Sequence, residues 1–160
     1  MSQAHTSPNH PGPIYASFDR VPAPKGASEH IEAFARALAV GAGTLDLVTL
    51  GDETQRGVRR APADPRDPAW LTRVQIGTSG DFLERVLGFR AELLRLWGDE
   101  RRPFAHVRSI FEGYPIARER DRRVDRLVFE VNALPSVELK YHHADVADDR
   151  EVSRKLRAQE

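Results

Sequence analysis

The first regular pattern in the chain reads Pro13-Ile14-Tyr15-Ala16-Ser17-Phe18-Asp19, followed by Pro22-Ala23-Pro24-Lys25-Gly26-Ala27-Ser28-Glu29-His30. The first segment is typical of a short buried strand, and the second of a loop that leads into a helix. Strand, loop and helix in this order begin an α/β sheet, in which ligands bind beside the carboxyl ends of the strands. The segment therefore predicts where a site lies, without specifying its ligand.

Strands and helices alternate along the rest of the chain. A helical stripe of apolar residues after His30 and a strand that ends at Gly51 complete a βαβ unit. Ser28 is predicted to cap the first of these helices, and Ser79 a later one. The further predicted strands are Arg73–Gly77, Phe104–Ser109 and Leu127–Ala133, the last of them covered on both faces. This alternation predicts an α/β, Rossmann-like three-layer domain with a mostly parallel sheet.

Two segments are ambiguous. Residues 52–71 carry three prolines among charged residues, which indicates either a solvated insertion or a functional loop. Residues 137–143 fit a short helix or an extended segment. The adjacent His142 and His143 resemble a metal pair, but neighbouring side chains point apart in regular structure, so no metal site is predicted.

Composition excludes several classes of protein. The 160 residues suit one domain, and the 24 basic residues balance the 24 acidic ones, which disfavours nucleic acid as a partner. The sequence contains no cysteine and no apolar run long enough to span a bilayer. We predict a soluble, cytoplasmic protein, with peripheral membrane contact left open. Residues 1–12 are predicted to be a disordered leader.

Three parts of the chain together resemble a known family: the segment from Ile14 to His30; His106-Val107-Arg108-Ser109 with Phe111-Glu112-Gly113-Tyr114-Pro115; and Phe129-Glu130-Val131-Asn132-Ala133-Leu134-Pro135-Ser136-Val137-Glu138-Leu139-Lys140-Tyr141. They are similar to the N-terminal domain of the family-4 glycosyltransferases, which are retaining enzymes of the GT-B architecture. The resemblance extends from Pro13 to Glu160. It implies that residues 13–146 form the acceptor-side domain, and that a nucleotide-sugar is the co-substrate, without a cofactor or a metal.

The resemblance also implies roles for individual residues. The donor diphosphate would approach the loop formed by Lys25, Gly26, Ala27 and Ser28. Many members of the family have two adjacent glycines in this loop, and this chain has one. Strand ends and the turn after them supply the candidate residues for the acceptor cleft, which are His30, Arg108, Ser109, Glu130, Asn132 and Glu138. No catalytic residue is assigned.

Each candidate also has a structural interpretation. Arg108 could form an ion pair with Glu112 instead of binding an anion. Glu130 could form an ion pair with an arginine of the preceding connector. His30 could be an ordinary helix-surface histidine, and His106 a core histidine with a satisfied ring.

Residues 147–160 are predicted to start a helix that leads to a second, donor-binding domain not present in this sequence. The expected function is transfer of a sugar to a glycan, lipid or small-molecule acceptor, with no activity for this chain alone. A separately encoded second domain or a homodimer would be the partner. The alternative is a non-catalytic binding or interaction module.

Overall fold

A computed structural model of the protein describes residues 11–132, 134–142 and 148–160. Some predictions concern residues outside these ranges. They are most of the predicted leader, His143, and the predicted domain junction at residues 146–147. The strands are β1 (Ile14–Arg20), β2 (Leu45–Leu50), β3 (Gly57–Arg60), β4 (Leu71–Gly77), β5 (Arg102–Val107) and β6 (Val124–Phe129). The helices are α1 (Gly26–Ala42), α2 (Phe82–Trp97), α3 (Ile110–Arg118), α4 (Arg120–Arg123), α5 (Pro135–His142) and α6 (Arg150–Gln159).

The strands form one six-stranded sheet in the order β3-β4-β2-β1-β5-β6. All neighbours pair in parallel except β3, which runs antiparallel to β4 at the edge. This arrangement confirms the predicted α/β fold with a mostly parallel sheet. The strand order reverses direction at β1, because β2 lies on one side of it and β5 on the other. Such a reversal opens a crevice at the carboxyl ends of the strands.

Side-chain alternation along β1 divides the core into two layers. Tyr15 packs with Ile31 of α1 on one face of the sheet, whereas Ile14 packs with Phe89 of α2 on the other. Apolar residues in the central strands are buried on both faces, as expected for parallel strands between helices. The domain therefore has the three layers that the sequence predicts.

Two predicted helix caps are wrong. Helix α1 begins at Gly26, with Lys25 in the N-cap position, so Ser28 already lies in the first turn. The Ser28 hydroxyl instead accepts a hydrogen bond of 2.9 Å from the N–H of Ala23 and closes the loop. Helix α2 is capped by Asp81, whose side chain and that of Glu84 form a reciprocal capping box.

The last predicted strand also needs correction. β6 ends at Phe129, so Glu130 and Asn132 lie beyond the strand and not inside it. β6 is the edge of the described sheet, and Val128 and Phe129 are 41% and 40% exposed, so it is not covered on both faces. Residues 135–142, where the sequence allowed a helix or an extended segment, form α5.

The long segment between β2 and β4 is only partly the loop that the sequence suggested. Residues 57–60 form β3, and the chain after β3 is fixed to the domain by a buried ion cluster. The carboxylate of Asp67 receives hydrogen bonds of 2.5 and 2.9 Å from Arg73 and of 3.0 Å from Arg36. The Asp67 side chain is 1% exposed, so this segment is not simply a solvated insertion.

Candidate functional site

A cleft of about 680 Å³ lies at the carboxyl ends of the central strands. This volume falls in the range of pockets that bind small molecules. Six of the predicted site residues line it: Lys25, Ala27, Arg108, Ser109, Asn132 and Glu138. Four others do not: Gly26, Ser28, His30 and Glu130. The parallel topology therefore brings residues far apart in sequence to one rim, while their binding roles remain predictions.

The start of α1 forms one side of the cleft. Its N-cap residue, Lys25, makes no side-chain capping hydrogen bond, and its ammonium group lies 3.2 Å from Oδ1 of Asp19. Oδ2 of Asp19 accepts a hydrogen bond of 3.0 Å from the hydroxyl of Ser17. A helix start with a neighbouring ammonium group favours an anion. A Cβ on Gly26 would contact nothing within 4 Å, so packing within the protein does not require glycine there.

Arg108 contributes a second positive charge. Its side chain is 9% exposed, and its Nη1 and Nε lie 3.8 Å from Asp19 and 3.4 Å from Glu130. These are ion-pair separations, and neither nitrogen has a hydrogen-bond partner. The side chain does not pair with Glu112; the backbone N–H of Arg108 donates to that carboxylate instead, over 2.8 Å. The guanidinium group is thus held in the wall of the cleft between two carboxylates, while its Nε and Nη1 make no hydrogen bond.

Glu130 is the centre of a small network behind this wall. Its carboxylate lies 3.2 Å from Nε2 of His30, 3.1 Å from Nε2 of His106 and 3.4 Å from Nε of Arg108. The alternative that Glu130 pairs with an arginine of the preceding connector is wrong, because the arginine beside it is Arg108, which follows β5. Burial alone would raise the pKa of Glu130, but hydrogen bonds from Asn132 and His106 and the charge of Arg108 outweigh it and lower that pKa.

The two histidines of this network differ. His106 is buried against the rings of Tyr15 and Phe34, and burial lowers its pKa despite the opposing effect of Glu130. This is the core histidine that the sequence suggested. His30 is half exposed and stacks on Phe34 with the rings 9° from parallel. Both histidines orient Glu130, and neither lines the cleft.

The site also contains residues that the sequence analysis did not single out. Arg20 and Arg85 share one carboxylate, Glu53, at 2.6 and 2.9 Å, so one of the two charges lacks its own counter-ion. In total, four cationic and two anionic side chains line the cleft. Three phenylalanines from different elements form an apolar part of the wall: Phe18, Phe82 and Phe111. The available sequence signal was their position, near the end of a strand or at a helix start.

In ranges 11–132, 134–142 and 148–160, no group of three or more histidine, aspartate or glutamate side chains could hold a metal ion. Within the same ranges, no helix is long and apolar enough to cross a membrane.

Comparison with known proteins supports the fold. No family model matches the chain, and no curated protein matches it by sequence. Among solved structures, it is similar to sucrose-phosphate synthase from Thermosynechococcus elongatus, with a TM-score of 0.59 and 14% identity. The match covers 91% of this chain and 39% of the other. The chain thus shares its Rossmann-like fold with part of that protein, and it spans well under half of that protein's length.

Proposed function

We propose that this chain is the acceptor-side, N-terminal domain of a retaining glycosyltransferase of the family-4 type. The complete enzyme would move a sugar from a nucleotide-sugar to a glycan, lipid or small-molecule acceptor. The observation that carries the proposal is the placement of Lys25, the uncapped start of α1 and the charge of Arg108 around one cleft at the strand ends. Positive groups there can stabilise a leaving diphosphate without a metal ion.

Each group would have its own role. The first N–H groups of α1 would bind diphosphate oxygens, because they point out of the helix and carry its positive dipole end. Lys25 would add an ammonium group, and Arg108 a fixed charge beside the same Asp19 carboxylate. Asn132 and Glu138, both exposed in the cleft lining, would bind acceptor hydroxyl groups. Sugar transfer would need a second domain to bind the nucleotide, so we expect this chain alone to have no transferase activity.

The diphosphate role can be tested with UDP by nuclear magnetic resonance, which detects weak binding. UDP should shift the amide resonances of Gly26 and Ala27. A Gly26→Ala variant should fold normally, since its Cβ has open space, yet bind UDP at least threefold more weakly because the methyl group blocks close approach. Gly41→Ala is the matched control on the same helix, with equally open space. Equal UDP affinity of the two variants, or no shift at Gly26, would contradict the proposal.

Turnover provides a separate test of the whole assignment. Incubation of the chain with UDP-glucose, ADP-glucose or GDP-mannose and simple glycoside acceptors should give no product above background. Clear sugar transfer by the chain alone would contradict the proposed need for a second domain.

A second candidate function rests on the apolar surface beside the cleft. Six of the nine large, exposed apolar side chains in the described residues fall between positions 128 and 141: Val128, Phe129, Val131, Leu134, Val137 and Tyr141. Such clustering is typical of an interaction surface, as in a non-catalytic binding module. Sedimentation velocity tests self-association through it. A dimer that Val131→Ser dissociates, together with absent UDP binding, would favour this second function.

A further inference from the structure

The phenylalanines of the cleft form a continuous aromatic surface. Phe18 comes from the end of β1, Phe82 is the first residue of α2, and Phe111 lies in the first turn of α3. The ring centroids are 6.2 Å apart for Phe18 and Phe82, 5.5 Å for Phe18 and Phe111, and 5.3 Å for Phe82 and Phe111. All three side chains are only partly buried, and all three line the cleft.

This surface is held in place from behind. Arg90 of α2 donates hydrogen bonds of 2.8 Å to the carbonyl of Phe111 and of 2.9 Å to that of Ile110, which fixes α3 against α2. The N–H of Phe18 donates to the buried carboxylate of Glu112. The backbone that carries Phe18 and Phe111 is therefore fixed before a ligand arrives, which lowers the entropic cost of binding.

The cleft lining combines two kinds of side chain. Lys25, Arg108 and Asn132 supply charges and an amide, whereas the phenylalanine rings offer neither donors nor acceptors for hydrogen bonds. A sugar hydroxyl buried against these rings would lose its water partners without replacement, which is unfavourable. An alkyl, acyl or aryl group would instead gain from burial there.

We infer that the acceptor carries an apolar group that packs on Phe18, Phe82 and Phe111 while its polar end faces Lys25, Arg108 and Asn132. The inference rests on the proposed function and narrows it, since it selects an amphipathic acceptor over a plain glycan. The cleft volume of about 680 Å³ accommodates such a molecule.

Alkyl glucosides of increasing chain length test this directly. Methyl, butyl, hexyl and octyl β-D-glucopyranoside, each kept below its micelle concentration, share one head group and differ in apolar length. If the alkyl group packs on the phenylalanine rings, the dissociation constant of the glucoside should fall two- to fourfold for each added methylene. In the unmodified protein, the octyl compound should shift the amide resonances of Phe82 and Phe111, and not those of Val131 and Leu134 on the exposed surface.

Two variants on α2 provide a second test and its control. Phe82→Ala should reduce the affinity for octyl glucoside about tenfold and leave that for the methyl compound unchanged. Leu87→Ala, on the same helix but 62% exposed and outside the cleft lining, should change neither affinity. The inference is overturned if affinity does not rise with chain length, or if resonance shifts locate the octyl compound at Val131 and Leu134.

The outcomes separate this inference from the function on which it rests. UDP shifts at Gly26 report the diphosphate role alone, and the alkyl series reports the apolar subsite alone. If UDP binds but affinity does not depend on alkyl length, the amphipathic acceptor is contradicted and the transferase function is not. If affinity depends on alkyl length at Phe82 but UDP does not bind, the transferase function is contradicted and the cleft is an apolar ligand site.

Discussion

The backbone N–H of Phe18 donates a hydrogen bond of 3.3 Å to Oε2 of Glu112, across 94 positions of sequence. Oε1 of the same carboxylate accepts hydrogen bonds of 2.8 and 2.6 Å from the N–H groups of Arg108 and Ser109. Glu112 is fully buried. One side chain therefore joins the end of β1, the end of β5 and the start of α3, and these are the elements that carry the cleft.

Replacing Glu112 with alanine should strongly destabilise the protein. The substitution leaves buried N–H groups without acceptors, and each such group costs about 1–3 kcal/mol. We expect the free energy of unfolding, measured with urea, to fall by about 3–5 kcal/mol. Glu92→Ala is the control, because Glu92 pairs with the exposed Arg95 and such pairs contribute under about 1 kcal/mol. Similar losses in both variants would contradict the role of Glu112.

Glu112 also predicts an unusual pH dependence. Burial raises its pKa from 4.5 to about 7, against the opposing effect of its hydrogen bonds. Between these two values the folded state binds more protons than the unfolded state, so stability from this group falls as pH rises. The stability difference between the wild type and Glu112→Gln should shrink from pH 4.5 to about 7 and then stay constant. Urea unfolding at several pH values measures it, and a difference that grows with pH would contradict this prediction.

Glu130 should behave in the opposite way. Its pKa is lowered despite burial, through hydrogen bonds from Asn132 and His106 and the charge of Arg108, so its contribution is present above pH 4.5 and lost as the carboxylate is protonated. Glu130→Gln should reduce the free energy of unfolding at pH 7 by about 2 kcal/mol. The difference should decline below pH 4.5. The exposed Glu138 provides a control, since Glu138→Gln should have little effect at either pH.

The alternation of strands and helices was sufficient to predict the sheet, because central parallel strands are buried on both faces and show as apolar runs. β3 was missed because only Val58 among its four residues is a strand-forming apolar residue, and the strand exists through pairing with β4. The predicted bounds of β6 lay too far toward the C-terminus for a related reason. Its start is paired with β5, but Val124 there is followed by the charged and exposed Asp125 and Arg126 at the edge of the described sheet.

The positions of candidate residues could be predicted where topology determines them, and were wrong where local hydrogen bonding determines them. Arg108 and Asn132 follow the ends of β5 and β6, and the parallel sheet brings them to one cleft, while their binding roles stay predictions. Glu112 was considered only as a partner for the side chain of Arg108, although Ser109 and Glu112 have the spacing of a capping box. The partners of Glu130 could not be predicted, because His106 reaches it through the pairing of β5 with β6, and His30 through the tertiary position of α1.

Asp67 should fix the segment after β3, and its loss should release that segment. Its carboxylate bonds Arg73 and Arg36 in a buried site, and removing one partner of a buried ion pair costs about 3–5 kcal/mol. Asp67→Ala should lower stability by that amount and expose the bond after Arg66 to trypsin under native conditions. Asp125→Ala is the control, since Asp125 is 55% exposed and pairs with the exposed Arg101. If trypsin cleaves Asp67→Ala and wild type at equal rates after Arg66, the cluster does not hold this segment.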